Sequence, residues 1–146
     1  MNILGLDYGS KTIGVALCPE GSSLALGLET LRRDREENLK ANVHRIGDLI
    51  KEHNIGIIVL GFPKNMDGTV SERCEKTLVF AERLKRTFKK VKVELQDERL
   101  TSVQAERAMF DLGVNGKQRK AAVDMQAAAI ILQTYIDKNK NKKGDL

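Results

Sequence analysis

The chain of 146 residues carries 25 Lys and Arg against 20 Asp and Glu, a formal net charge of +5. Its length favours one domain with a single core and excludes two large lobes. We expect a cytoplasmic protein with no membrane partner, because no stretch is apolar enough to span a bilayer and no signal peptide is recognisable. Cys18 and Cys74 lack zinc-ligand spacing and disulfide density, so neither is a site candidate.

The first third of the chain predicts an antiparallel meander. Apolar residues indicate strands over 3–8, 12–18 and 24–31, separated by the turn-rich segments YGSK and PEGSS. A helix then begins near the capping pattern Asp34-x-x-Glu37. Spacings of four, three and four place its apolar face on Leu39, Val43, Ile46 and Ile50.

Helices and strands alternate in the rest of the chain. The apolar run IGIIVLGFP at 55–63 predicts a central strand buried on both faces. A helix opens at the capping box Thr69-x-x-Glu72, a strand covers 91–96, and helices follow from Thr101 to 112 and from about 117 to 138. The apolar face of the helix after Thr69 is predicted to contain Cys74, Leu78, Ala81, Leu84 and Phe88.

The order βββαβαβαα predicts an α/β protein with a mixed five-stranded sheet and helices on both faces. We expect residues 1–137 to form the domain and residues 138–146 to be a basic, disordered tail. Positive charge is concentrated in that tail and in KRTFKKVK at 85–92. Such segments are compatible with a polyanionic partner, although a solvated helix end and a free tail would look the same.

Acidic residues fall where strands end. Asp7 lies near the end of the first strand, and Asp97 and Glu98 follow the last strand directly. If these strands are parallel neighbours, the carboxylates converge at one edge of the sheet. Asp124 shares a helix face with Ala128, Ile131 and Tyr135, so it is predicted to point toward the sheet.

Each acid has a simpler explanation as a turn acceptor, a helix cap or a partner of a helix dipole. Together, however, such carboxylates would repel one another unless a cation lay among them. Mg²⁺ or Mn²⁺ prefers oxygen ligands, and two such ions can activate water and stabilise the leaving oxygen in phosphodiester cleavage. The pattern therefore favours a divalent-metal site.

Candidate phosphate contacts surround these acids. The segment GFPKNMDG places Lys64 and Asn65 after the central strand, where a phosphate could be bound, although an ordinary turn explains the same residues. Arg73 lies one turn inside the next helix, and Arg99 follows the acidic pair. Lys11, in the YGSK turn, is the fifth nucleic-acid-binding candidate.

Four motifs, in order and across nearly the whole chain, carry a family resemblance: LDYGSKTIGVA, GFPKNMDGTVSERC, DERLTSVQAE and KAAVDMQAAAIILQ. They resemble the YqgF family of Holliday-junction-resolvase-like proteins, proposed as pre-16S ribosomal RNA nucleases. The resemblance implies an RNase H-like fold, a cytoplasmic bacterial protein and maturation of the 5′ end of 16S ribosomal RNA. It also implies acidic site positions at Asp7, Glu98 and Asp124, with Asp97 as a neighbour.

Three alternatives stay open beside cleavage of precursor ribosomal RNA. One is resolution of branched DNA, although the related RuvC-type resolvases carry two acids one turn apart on the last helix. Here Lys120, Ala121, Ala127 and Ala128 occupy that spacing around Asp124. The others are a single-lobe actin-like nucleotide-binding protein and a non-catalytic RNA-binding module. Both a monomer and a homodimer are compatible with the sequence.

Overall fold

The computed structural model describes residues 1–62, 72–97 and 116–144, with backbone alone for 116–120 and 140–144. The strands are β1 (Asn2–Tyr8), β2 (Thr12–Cys18), β3 (Leu26–Arg32), β4 (Ile55–Phe62) and β5 (Lys92–Asp97). The helices in these ranges are α1 (Lys40–Glu52), α2 (Glu72–Thr87) and α3 (Gly116–Gly144). The helix expected from Thr101 to 112 lies outside the described residues.

The strands form one mixed sheet in the order β3-β2-β1-β4-β5. The meander of β1, β2 and β3 is antiparallel, whereas β1, β4 and β5 are parallel. This confirms the predicted five-stranded sheet. The carboxyl ends of β1, β4 and β5 therefore lie at the same edge, which we call the carboxyl edge, and their amino ends lie at the opposite amino edge.

Helices cover both faces of the sheet, as predicted. Leu4 and Leu6 of β1 pack in one core with residues of α1 and α2, such as Ile46 and Phe80. Residues of the opposite face pack under α3 in a second core that includes Ala16, Val59, Ala128, Ile131 and Leu132. Because side chains alternate along a strand, β1, β2 and β4 each contribute to both cores. No helix among the described residues is long and apolar enough to cross a membrane.

The predicted start of α1 is wrong. The helix begins at Lys40, and its N-cap residue, Leu39, makes no side-chain capping hydrogen bond. The backbone before Lys40 makes non-helical hydrogen bonds. The Asn38 amide donates to the Arg35 carbonyl, and Arg33 Nε donates to the Glu36 carbonyl at 3.0 Å. A local hydrogen bond from the buried Arg33, three residues before Glu36, therefore replaces the predicted capping pattern.

The predicted apolar face of α2 is only partly correct. Cys74, Ala81 and Leu84 are buried, but Leu78 is 40% exposed. Thr77 and Phe80 are buried in addition. Burial of Thr77 is tolerated because its hydroxyl donates to the Arg73 carbonyl at 2.9 Å. The capping residue Thr69 lies outside the described residues.

Helix α3 is longer than the sequence predicts, because it continues past Lys138 to Gly144. The backbone from 138 to 144 is therefore helical, where the sequence predicts disorder. Two sheet glycines allow this helix to lie close to the strands. A Cβ on Gly5 would be 3.1 Å from the Ala128 carbonyl oxygen, and one on Gly27 would be 3.1 Å from Cβ of Met125.

Candidate active site

Asp7 lies at the carboxyl edge, on the face of the sheet that α3 covers. Its neighbours in β1, Leu6 and Tyr8, both belong to the core under α1 and α2. Asp7 alternates with them and so faces the opposite way. Across the antiparallel ladder Asp7 pairs with Gly14 of β2. Asp7, the next-to-last residue of β1, is therefore directed toward α3.

Asp124 of α3 meets the sheet at the same place. A Cβ added to Gly14 would lie 1.9 Å from the Asp124 carbonyl oxygen, so the helix backbone rests directly on this glycine. Asp124 itself is 6% exposed. The prediction that it points toward the sheet is confirmed. Since Gly14 is the cross-strand partner of Asp7, one glycine brings the two acids to the same position on the same face.

Asp97 is the last residue of β5 and is placed differently. It pairs with Phe62 of β4, while its neighbour Gln96 pairs with Gly61. Glu94 pairs with Val59, which belongs to the core under α3, so Glu94 faces α3. Gln96 lies two residues after Glu94 and therefore faces α3 as well. Asp97 is exposed and alternates to the other face, that of α2. The structure therefore separates Asp97 from Asp7, whereas Glu98 lies outside the described residues.

The pair of acids suits a hard divalent cation in donor chemistry. Carboxylate oxygens are the side-chain ligands that Mg²⁺ and Mn²⁺ prefer, and one or two of them usually suffice. Within residues 1–62, 72–97 and 116–144, no three His, Cys, Asp or Glu side chains form a metal-binding group. Asp7 and Asp124 thus fit as part of a metal site, and a third carboxylate would have to come from elsewhere in the chain.

Lys11 is exposed in the turn that connects β1 to β2. The Gly9 amide donates to the Thr12 carbonyl at 2.8 Å, which closes this turn, and the Lys11 carbonyl accepts from the Arg33 amide at 2.9 Å. The turn therefore lies at the carboxyl edge, beside Asp7. Of the other predicted phosphate contacts, Lys64, Asn65 and Arg99 lie outside the described residues.

Arg73 is engaged within the protein. Its Nη1 donates to Glu36 in an ion pair, and its guanidinium lies 4.8 Å from the centre of the Tyr8 ring. Its Nη2 is 3.5 Å from the Tyr8 carbonyl oxygen. These contacts lie on the face of α1 and α2, so Arg73 supports the end of β1 from the face opposite Asp7. Its predicted role in nucleic-acid binding stays a prediction.

A second arginine, Arg33, completes this support, and the sequence analysis missed it. Its Nη2 donates to the Gly9 carbonyl, and its guanidinium lies 5.0 Å from the centre of the Tyr8 ring. The Tyr8 ring also stacks on Phe80, with centroids 4.3 Å apart. The available signal was Tyr8 itself, an aromatic residue at a core position directly after Asp7. Residues 8 and 9 are thereby held by side chains distant in sequence.

Glu36 connects Arg73 to Lys76, whose Nζ lies 3.2 Å from the Glu36 carboxylate. Burial acts to raise the pKa of Glu36, but hydrogen bonds from Arg73 and Lys76 outweigh it and hold the pKa below its ordinary value. A depressed carboxyl pKa stabilises the folded state above the unfolded-state pKa. This contribution is lost as the pH falls through the folded-state pKa.

We expect Glu36→Gln to lower the free energy of unfolding by about 1 to 2 kcal/mol at pH 7. The amide keeps the shape but loses the charge that Arg73 and Lys76 contact. Because the Glu36 pKa is depressed, the difference from wild type should shrink as the pH falls below about 4.5 and wild-type Glu36 becomes protonated. Urea titrations over this pH range test the prediction, and a pH-independent difference would contradict it.

One groove of the described surface contains neither Asp7 nor Asp124 in its lining. It has a volume of about 660 Å³ and lies between α2 and the segment before α1. Its lining carries both signs of charge and contains the acids Glu36, Glu37, Glu72 and Glu75 and the bases Lys76, Arg83 and Arg86. The groove is therefore on the opposite face of the sheet from Asp7 and Asp124.

Comparison with known proteins finds relatives that match nearly the whole chain. Residues 1–138 match the family model described as "RuvX: Holliday junction resolvase". An Agathobacter rectalis protein named "Putative pre-16S rRNA nuclease" is 46% identical over 143 residues, which cover 98% of this chain and 99% of the relative. A Staphylococcus aureus protein of the same name is 40% identical over 135 residues, 92% of this chain and 94% of the relative.

Among solved structures, Thermus thermophilus RuvC superposes with a TM-score of 0.55 over 97% of both chains, at 15% sequence identity. RuvC from the same organism in complex with a Holliday junction substrate also has a TM-score of 0.55, at 16% identity. This similarity confirms the predicted RNase H-like fold. On the family match and the identity to the relatives, the chain belongs to the RuvX family.

Proposed function

We propose that this protein is a metal-dependent nuclease that hydrolyses phosphodiester bonds of structured RNA in the cytoplasm, at the 5′ end of pre-16S ribosomal RNA. The observation that carries the proposal is the placement of Asp124 on Gly14, the cross-strand partner of Asp7, at the carboxyl edge. The name shared by the relatives supports the substrate. Ligands of α/β sheets commonly bind outside this edge.

In this proposal Asp7 and Asp124 hold Mg²⁺ or Mn²⁺, and Glu98 joins them on the basis of its position in the sequence. The ion supplies Lewis-acid chemistry, which favours hydroxide formation and neutralises charge on the phosphate. Lys11, exposed in the turn beside Asp7, binds a substrate phosphate. Burial of Asp124 under α3 limits water around its carboxylate and strengthens its attraction for a cation.

Branched DNA is the second candidate substrate, because the family description names Holliday junctions. The last helix argues for RNA instead. At one-turn spacing after Asp124 it carries Ala127 and Ala128, which are 1% and 0% exposed. These positions are filled by packed methyl groups, so they offer no additional carboxylate for a resolvase site of the RuvC type.

Side-by-side cleavage assays separate the two substrates. We expect a pre-16S ribosomal RNA fragment to be cut in Mg²⁺ or Mn²⁺, a four-way DNA junction to be cut much more slowly, and excess EDTA to abolish cleavage of both. Labelled substrates resolved on denaturing gels measure the rates. Cleavage of the junction alone would identify branched DNA as the substrate. Cleavage in EDTA would show that the reaction does not require a metal ion.

A titration with ATP separates the nuclease from the actin-like and non-catalytic alternatives. We expect calorimetry to detect RNA binding and little ATP binding. Micromolar affinity for ATP that disappears in Lys11→Ala, with no RNA binding, would favour the nucleotide-binding alternative. RNA binding without cleavage in any divalent metal would favour the non-catalytic module.

A further inference from the structure

The two basic segments of the chain meet at the amino edge of the sheet. One segment runs from Arg83 near the end of α2 to Lys92, the first residue of β5. The other is the C-terminal part of α3. Because β1, β4 and β5 are parallel, Lys92 lies at the edge opposite Asp7.

Contacts along α3 show that it crosses the sheet from one edge to the other. Asp124 rests on Gly14 beside Asp7, and Ala128 and Leu132 then approach Gly5 in the middle of β1. One turn later the Tyr135 hydroxyl donates to Glu94 of β5. The helix therefore reaches the start of β5 at Tyr135.

Lys138 lies one turn beyond Tyr135 and is exposed. Glu94, the partner of Tyr135, also forms an ion pair with Lys92, whose Nζ lies 2.8 Å from Oε1 of Glu94. Tyr135 and Glu94 thus link the two basic segments. Beyond this link, Lys140, Lys142 and Lys143 belong to the same continuous helix.

Most cations of the first segment are available to a ligand. Arg86, Lys89 and Lys90 are exposed, and no described residue makes a salt bridge to them. Lys85 has only an exposed contact with Glu82 at 3.5 Å, which contributes little. Among the described residues, Lys85 and Lys92 are paired with carboxylates, whereas Arg86, Lys89, Lys90 and Lys138 make no salt bridge. Like charge is therefore concentrated at one place and only partly neutralised, which is the electrostatic signature of a polyanion-binding surface.

We propose that Arg86, Lys89, Lys90, Lys92 and Lys138 form one surface at the amino edge that binds the phosphate backbone of structured RNA at a distance from the catalytic acids. The proposal rests on the proposed function and deepens it. The seven residues of β1 run from the amino edge to the carboxyl edge over roughly 20 Å, so the surface lies at about that distance from Asp7. Only an RNA long enough to span that distance can contact both, which favours a folded precursor over a short oligonucleotide.

RNA fits this surface better than an anionic membrane does. Membrane-surface segments combine cations with inserted aromatic or large apolar side chains. The large hydrophobic side chains that are exposed among the described residues are all outside 83–92 and α3. A surface of cations without apolar anchors matches a hydrated phosphate backbone.

The test is the double variant Lys89→Gln/Lys90→Gln, with binding of a labelled RNA hairpin measured in EDTA by fluorescence anisotropy at several salt concentrations. We expect Kd to rise about tenfold at low salt and the slope of log K against log salt to fall by about 1.5, because two phosphate contacts are lost. Adding Lys138→Gln should weaken binding further. A trinucleotide, which can contact the surface but cannot span the two edges, should bind wild type much more weakly than the hairpin does.

The control is Arg35→Gln/Lys40→Gln, which removes two exposed charges from the segment before α1 and from its first residue. Equal weakening in this control would overturn the proposal, because binding would then follow total charge. Unchanged hairpin affinity in the double variant would overturn it as well. Loss of binding to anionic vesicles, with RNA binding intact, would assign the surface to lipid headgroups.

Failure of this proposal is distinguishable from failure of the proposed function. Binding in EDTA requires no cleavage, so weakened binding in a protein that never cuts RNA would retain the surface and reject the nuclease. Cleavage with an unchanged KM in the lysine variants would retain the nuclease and reject the surface. If the surface and the nuclease function are both correct, KM for the hairpin rises in the lysine variants while kcat is unchanged.

Discussion

Asp7→Asn is expected to lower metal-dependent cleavage by about a thousandfold or more while the protein stays folded. The amide keeps the shape of the side chain at the end of β1 but removes the negative charge that attracts a divalent cation. Gel-based cleavage rates measure the loss, and the melting temperature reports the fold. The carbonyls of Tyr8 and Gly9 should keep their contacts with Arg73 and Arg33.

Asp97→Asn is the matched control for this prediction. It is the same chemical change at the same edge of the sheet, but Asp97 is exposed and alternates toward α2. We expect cleavage within a fewfold of wild type. Asp124→Asn should behave like Asp7→Asn. Wild-type turnover in Asp7→Asn would make Asp7 a turn residue, and equal losses in Asp7→Asn and Asp97→Asn would reject the division of acids between the two faces.

Gly14→Ala is expected to destabilise the protein by about 3 kcal/mol and to impair cleavage strongly. Its new Cβ would lie 1.9 Å from the Asp124 carbonyl oxygen and 2.5 Å from the carbonyl carbon. Both are backbone atoms of a helix packed on the sheet, so the helix must move. Urea denaturation measures the stability, and cleavage under conditions where the variant is folded measures the displacement of Asp124.

Gly56→Ala in β4 is the matched control for Gly14→Ala. Its Cβ would lie 1.8 Å from Sδ of Met1, the far end of a flexible side chain that is 61% exposed. Met1 can rotate away, so the cost should stay below about 1 kcal/mol. Wild-type stability and activity in Gly14→Ala would contradict the close approach of α3 to β2.

Local pattern predicted the strands well and the helix boundaries less well. Strand β2 has the bounds that its apolar run indicates, since a strand that is buried at nearly every position forms a continuous apolar run in the sequence. Helix α1 begins later than its capping pattern predicts, because Arg33 takes the Glu36 carbonyl. Phe80 of α2 replaces Leu78 in the core, since Tyr8 offers it a ring to stack on.

The mixed α/β fold, the family resemblance and the candidate acids could all be predicted from the sequence, because they depend on residue type and spacing along the chain. Which of these acids share a face of the sheet could not be predicted, because it depends on strand register and on the packing of the helices. Asp7 and Asp97 both end parallel strands, yet strand register turns Asp7 toward α3 and Asp97 toward α2. The sequence also did not show that Gly14 allows α3 to approach β2. The lack of a side chain matters only where another part of the backbone comes close, and here that is the backbone of Asp124.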